Sequence, residues 1–155
     1  MSKGAITFSE NNDWFTPDYI VAKFSPFDYD PATTGGGAKL MGIPNFDTIQ
    51  TDGLKTDWTK YNKIWCNPPF TDKFAFLKKA VDAAKAGSEI YFLLPIGALT
   101  TNKFNKIVSC KYDLYLPNGR IRFVNPTGGS TVPAFGSVIL HFHKNAKNKI
   151  IGMKI

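Results

Sequence analysis

Cysteine is scarce in this chain, with two residues, Cys66 and Cys110, among 155. They form no Cys-x-x-Cys pair, and the two histidines, His141 and His143, stand far from both in sequence. A disulfide framework and a cysteine-based zinc centre are therefore excluded, and no metal centre is expected. Long hydrophobic runs are also missing. The longest, Ile90 to Pro95, falls well short of the roughly 20 apolar residues that a membrane-spanning helix needs. The first residues, Met1-Ser2-Lys3-Gly4-Ala5, lack the apolar stretch of a secretory signal. These absences lead us to expect a cytoplasmic protein with reduced thiols and no membrane contact. Acidic side chains are in the minority, 12 against 19 Lys and Arg, giving a formal net charge of +7. A basic surface favours polyanions, nucleic acid foremost. Lys144, Lys147, Lys149 and Lys154 crowd one end, where a solvated tail would account for them equally well.

Aromatic residues, by contrast, are abundant at 14% within a hydrophobic total of 43%, enough for one domain with a real core. We expect a single domain over residues 1–155, with 1–12 and 144–155 peripheral and no separate target-recognition domain. Residues 17–24 read as a short helix with Thr16 as N-cap and Pro17 in its first turn. Phe27 to Asp30 reads as a strand, and 31–48, with Thr33-Thr34-Gly35-Gly36-Gly37, as a long flexible loop. Lys63 to Cys66 and Glu89 to Pro95 read as strands flanking a helix over 72–86. That helix has Phe76, Leu77, Ala80, Val81 and Ala84 on one face and ends at Gly87. A short helix follows at 100–109. Then come strands at Tyr112 to Leu116, Arg120 to Val124 and Ser137 to Phe142, the last two paired as a hairpin. Strands alternating with helices predict an α/β fold, a mostly parallel doubly wound sheet with an antiparallel C-terminal hairpin.

The segment with most chemical content is Asn67-Pro68-Pro69-Phe70, at the end of the Lys63–Cys66 strand. Two prolines fix φ at successive positions and remove two N–H donors, and each pushes its predecessor out of the helical region. The result is a stiff turn carrying an amide oxygen on Asn67, a carbonyl on Pro68 and a flat ring on Phe70. Such a set suits a planar ring bearing an exocyclic amine: two acceptors for the N–H groups and a platform for the ring. An ordinary Pro-Pro turn has the same composition, but ligand crevices in open α/β sheets lie at the carboxyl ends of strands, which favours a site.

Other clusters fall at strand ends or turns: Asp13-Trp14-Phe15-Thr16-Pro17, Asp30-Pro31-Ala32, Thr51-Asp52-Gly53-Leu54 with Asp57-Trp58 behind it, Leu93-Leu94-Pro95, and Gly119-Arg120-Ile121-Arg122-Phe123. In this combination and order, from about Asp13 to Phe142, the sequence resembles the small phage and prophage DNA N-6-adenine methyltransferases of the Dam-like type. The resemblance implies a Rossmann-like methyltransferase domain, S-adenosylmethionine as methyl donor and adenine in DNA as acceptor. It casts Asn67, Pro68, Pro69 and Phe70 as the catalytic segment. Trp14, Phe15, Thr16, Pro17, Asp30, Pro31, Ala32 and Asp52 become cofactor-binding. Asp30 would meet either the methionine ammonium or the ribose hydroxyls, and Asp52 the adenine amine. Arg120 and Arg122 alternate as phosphate contacts would, or as solvated edge charges.

Two features depart from the wider class. The Phe-x-Gly-x-Gly turn after the first strand is replaced by the displaced Thr33–Gly37 run, and Phe70 stands where Tyr is commoner. Recognition is expected to be short or relaxed, or supplied by a partner subunit. The resemblance also implies a phage or prophage protein working in a bacterial host. Two alternatives stay open on sequence: transfer to another planar amine or amide (RNA adenine, cytosine N4 or protein glutamine), and a non-catalytic DNA-binding relative.

Overall fold

The computed structural model describes residues 15–124 and 129–155, so the expectation placed on Trp14 lies outside the described residues. The elements run α1 (Asp18–Val21), β1 (Tyr29–Asp30), α2 (Gly35–Met41), β2 (Asn45–Phe46), β3 (Lys63–Cys66), α3 (Lys73–Lys85), β4 (Glu89–Pro95), α4 (Asn102–Ile107), β5 (Asp113–Pro117), β6 (Phe123–Val124), β7 (Ser130–Thr131), β8 (Ser137–Phe142) and β9 (Ile150–Met153). Short 3-10 turns occupy Gly53–Lys55, Trp58–Lys60, Phe70–Asp72 and Ile96–Thr100.

Seven strands form one sheet in the order β2-β1-β3-β4-β8-β5-β9. The first four are parallel. β8 runs antiparallel to β4 and to β5, and β9 returns parallel to β5. Alternate residues of the central strands serve opposite faces. Ile64, Cys66, Ile90, Phe92, Leu94, Val138 and Leu140 pack under α3 and Phe104 of α4. Trp65, Tyr91, Leu93 and Ile139 pack under Ile20 and Val21 of α1, with Phe27 and Ile43. Burial on both faces explains why β4 reads as an unbroken apolar run, and the fold is the expected doubly wound α/β sheet.

Three local expectations are corrected. Residues 31–48 are not one long loop, because α2 and β2 lie within them. Three glycines start α2 despite their low helix propensity. The helix holds because Thr34 Oγ1 accepts from the Gly37 amide at 3.0 Å and Gly42 closes the far end at φ +69°. Thr16 does not cap α1. The cap position is Pro17, whose carbonyl accepts from Ile20 at 3.0 Å, so Thr16 is one residue too early to reach the first amides. The antiparallel pair near the C-terminus is formed by β5 and β8, not by Arg120–Val124 and β8. Both edges of β8 are taken by β4 and β5, so the 120–124 segment is left outside the main sheet, where Ile121 and Phe123 join the second core cluster and β6 pairs with β7. Part of the 144–155 segment, expected to be peripheral, forms β9 at the outer edge of the sheet.

Candidate active site

After β1 the chain adds β2 on one side and then crosses back to add β3 on the other, so the strand order reverses at this point of the sheet. In a doubly wound fold the ligand crevice opens beyond the carboxyl ends of the strands at such a switch point. A cavity of about 560 Å³ lies there, in the range of roughly 300–1,000 Å³ usual for small-molecule and cofactor sites. Its walls come from the turns after β1, β2 and β3, and its remaining sides include Leu93 and Pro95 of β4, Ser137 of β8, Phe15, Phe123 and Phe135.

Asn67, Pro68, Pro69 and Phe70 all line this cavity, in the turn between the buried end of β3 and the start of α3. The Phe70 ring lies 5.9 Å from that of Phe135, tilted by 40°. Lys73 fixes the turn from the next residues: its Nζ donates to the Phe70 carbonyl at 3.2 Å and lies 4.2 Å from the Phe70 ring centroid. Burial, and then the nearby Lys103 charge, hold the Lys73 ammonium below the usual lysine range.

The turn after β1 supplies the opposite wall. Pro31 and Ala32 line the cavity, whereas Asp30 does not; it sits beneath them, 2% exposed, and accepts the Ala32 amide at 2.9 Å. Burial pushes the Asp30 carboxyl up to about 7, partly offset by that hydrogen bond. Asp52 lines the cavity at φ +61°, a left-handed conformation that Asp tolerates better than most residues, and its carboxylate accepts the Leu54 amide at 3.1 Å. Gly53 is pressed against Pro31: a Cβ there would lie 2.0 Å from the Pro31 carbonyl oxygen. The buried Trp58 holds this contact from behind, its Nε1 donating to the Gly53 carbonyl at 2.8 Å. One strand over, Asp47 accepts from Tyr29 and Thr56 at 2.5 and 2.6 Å. Burial works against ionisation of Asp47, but those hydrogen bonds outweigh it and keep the carboxyl below its ordinary range.

Of the N-terminal segment, Phe15 reaches the cavity, while Thr16 and Pro17 are buried outside it. Arg120 and Arg122 are both exposed and alternate with buried Ile121 and Phe123, so they face solvent while Phe123 faces the cavity.

Sequence reasoning gave no site role to Thr33 or Ser137, which both line the cavity with buried hydroxyls that find no hydrogen-bond partner among the described residues. A buried hydroxyl without a partner costs free energy, and a polar ligand in the cavity would relieve it. That pair, together with the cavity's size, fits a cofactor with hydrogen-bonding groups. Thr33 belongs to the Thr33–Gly37 run that stands in place of the glycine-rich turn, whereas Ser137 carried no local signal, because it meets the site only through pairing of β8 with Pro95.

A family model described as DNA N-6-adenine-methyltransferase (Dam) matches residues 4–154. The DNA N-6-adenine-methyltransferase of Escherichia phage T1 is 27% identical over 146 residues, covering 81% of this chain and 60% of that protein. The protein of the same description from Haemophilus phage HP1 (strain HP1c1) is 27% identical over 135 residues, covering 83% of this chain and 76% of its own length. This chain thus spans about 60% of the phage T1 relative. Among solved structures, a Listeria monocytogenes protein described as a candidate class I S-adenosylmethionine-dependent methyltransferase aligns with a TM-score of 0.47 at 13% identity, over 89% of this chain and 53% of that one. With nearly its whole length matched by the family model, the chain belongs to the DNA N-6-adenine-methyltransferase (Dam) family.

Proposed function

We propose that this chain transfers a methyl group from S-adenosylmethionine to the exocyclic N6 amine of adenine in DNA, with the base held in the Asn67–Phe70 turn. The observation that carries this reading is convergence. In a chain of this family, the Asn-Pro-Pro-Phe turn after β3, the Pro31–Ala32 turn after β1 and Asp52 after β2 line one cavity.

The cofactor would lie against the β1 and β2 turns, held by Phe15, Pro31, Ala32 and Asp52. Thr33 and Ser137 offer it hydroxyls without other partners among the described residues. Thr16 and Pro17 would support Phe15, and Asp30 would fix the Pro31–Ala32 turn from below through its bond to the Ala32 amide. When bound, S-adenosylmethionine supplies an electrophilic methyl on a sulfonium. The acceptor needs help from the protein, because the lone pair of an aryl amine is delocalised into its ring. Asn67 Oδ1 and the Pro68 carbonyl would accept its two N–H groups and so favour a pyramidal nitrogen with a localised lone pair. Phe70 would stack on the base, a contact worth roughly 1–3 kcal/mol. Positioning in a water-poor site supplies most of the rate in such transfers. A base paired in duplex DNA must first leave the stack, and the exposed Arg120 and Arg122 would meet phosphate.

The test is incubation with labelled S-adenosylmethionine and unmethylated duplex DNA, RNA or bulk protein, followed by digestion of each acceptor. Label in N6-methyladenosine's deoxy form, from DNA alone, is the expected result. Label in RNA or protein instead would replace the acceptor, and cofactor binding without transfer to any acceptor would overturn the reading.

A further inference from the structure

The other end of the sheet holds a second chemical cluster. Asp113, His141 and His143 bring one ligand atom each within 4.8 Å of one another. The register explains the meeting. His141 and His143 stand two apart on β8 and its exit, so they project from one face, and Asp113 on β5 is the direct partner of His141. The imidazole rings stack at 4.0 Å, with Tyr91 continuing the stack 3.9 Å beyond His141. This is not the cavity. Ser137, at the cavity end of β8, precedes His141 by four strand residues, about 13 Å at the usual rise.

We propose that Asp113, His141 and His143 form a binding site for a first-row divalent transition-metal ion of the zinc type. Two imidazoles and a carboxylate are a borderline nitrogen–oxygen set that suits zinc and its neighbours and disfavours calcium or magnesium. The carboxylate is already oriented: Asp113 Oδ1 accepts the Lys147 and Lys149 amides at 3.1 and 3.0 Å, leaving Oδ2 towards His143 Nε2 at 2.6 Å. Backbone support of that kind holds a ligating oxygen in place. Glu89, the first residue of β4, lies outside that trio and orients it, with its Oε2 2.6 Å from His141 Nε2. Tetrahedral bonds of roughly 2.0–2.2 Å to a shared ion set ligand atoms about 3.3–3.6 Å apart, so the His143–Asp113 pair at 2.6 Å must open and the widest separation, up to 4.8 Å, must close, each by about 1 Å of side-chain rotation. The His143 and Glu89 side chains are 22% and 37% exposed, so an ion has a way in. The bound ion would fasten β5 and β8 together at the end of the sheet away from the cavity, stabilising the fold without joining the transfer chemistry.

This arrangement also makes sense as two His–carboxylate pairs with no ion, and the experiment separates the two. Untagged protein, freed of metal by a chelator, is titrated calorimetrically with zinc chloride, and its melting temperature is followed with and without zinc. The expected result is one saturable site per chain, a raised melting temperature, and at least a tenfold loss of affinity in His143→Ala. Should His143→Ala fold poorly, Glu89→Gln and His143→Gln provide milder tests. Cobalt chloride adds a direct signature: intense visible bands of a tetrahedral site in the wild type, lost in His143→Gln. No saturable zinc binding by the wild type, or equal binding by the His143 variants, would overturn the proposal.

Discussion

Gly53 and Pro31 touch backbone to backbone: a Cβ on Gly53 would lie 2.0 Å from the Pro31 carbonyl oxygen and 2.9 Å from its carbonyl carbon. The contact joins the turns after β1 and β2, both of which wall the cavity. Gly53→Ala must therefore push the turns apart. We expect a loss of about 1–3 kcal/mol or more in urea unfolding, typical of overpacking, together with weakened cofactor binding in calorimetry. Wild-type stability and affinity in this variant would show that the two turns are not tightly joined.

Three buried hydroxyls lack partners among the described residues, those of Thr16, Thr33 and Ser137, but only Thr33 and Ser137 line the cavity. Removing an unpartnered buried polar group should not cost stability and can add to it. Thr33→Val, Ser137→Ala and Thr16→Val should thus each leave the melting temperature of the free protein unchanged or higher. Cofactor affinity should fall, about fivefold or more at a net loss near 1 kcal/mol per hydrogen bond, in the first two and not in Thr16→Val. Equal affinity across all three would remove Thr33 and Ser137 from the site.

Asp30 ties stability to pH in a defined direction. Burial raises its carboxyl from 3.8 to about 7 in the folded protein, so the folded state holds a proton that the unfolded chain has released. The contribution of neutral Asp30 is complete below about pH 4 and is lost as pH rises to 7, at up to about 1.4 kcal/mol per pH unit. Asp30→Asn keeps an oxygen for the Ala32 amide and has nothing to titrate. The stability difference between the two proteins, from urea melts at pH 4 to 8, should favour the wild type least above pH 7. A difference that does not change with pH would contradict the buried carboxyl.

The central strands were legible because burial on both faces leaves an unmistakable apolar run, as in Glu89–Pro95. The helix from Lys73 to Lys85 was legible from its apolar face and Gly87. The Asn67–Phe70 turn stood out because two prolines after a strand are locally unusual. What could not be read was set by distant parts of the chain. α2 depends on one threonine cap outweighing three glycines. The partners of β8 follow from which sheet edges are vacant, which a local pattern does not carry. Ser137 and Phe135 enter the cavity through that same pairing. The Asp113–His141–His143 cluster joins residues from two strands. His-x-His at the end of a strand is the local trace of that cluster, but its carboxylate partner lies on another strand.

The role proposed for the Asn67–Phe70 turn is activation of an adenine amine. Its most direct test is single-turnover methyl transfer to unmethylated duplex DNA, with products digested to nucleosides, for wild type and Asn67→Ala at saturating cofactor. The expected outcome is N6-methylated deoxyadenosine from the wild type, a rate at least about 10²-fold lower in Asn67→Ala, as for loss of one preorganised group at a reacting centre, and nearly unchanged cofactor affinity. Transfer by Asn67→Ala at the wild-type rate would contradict it.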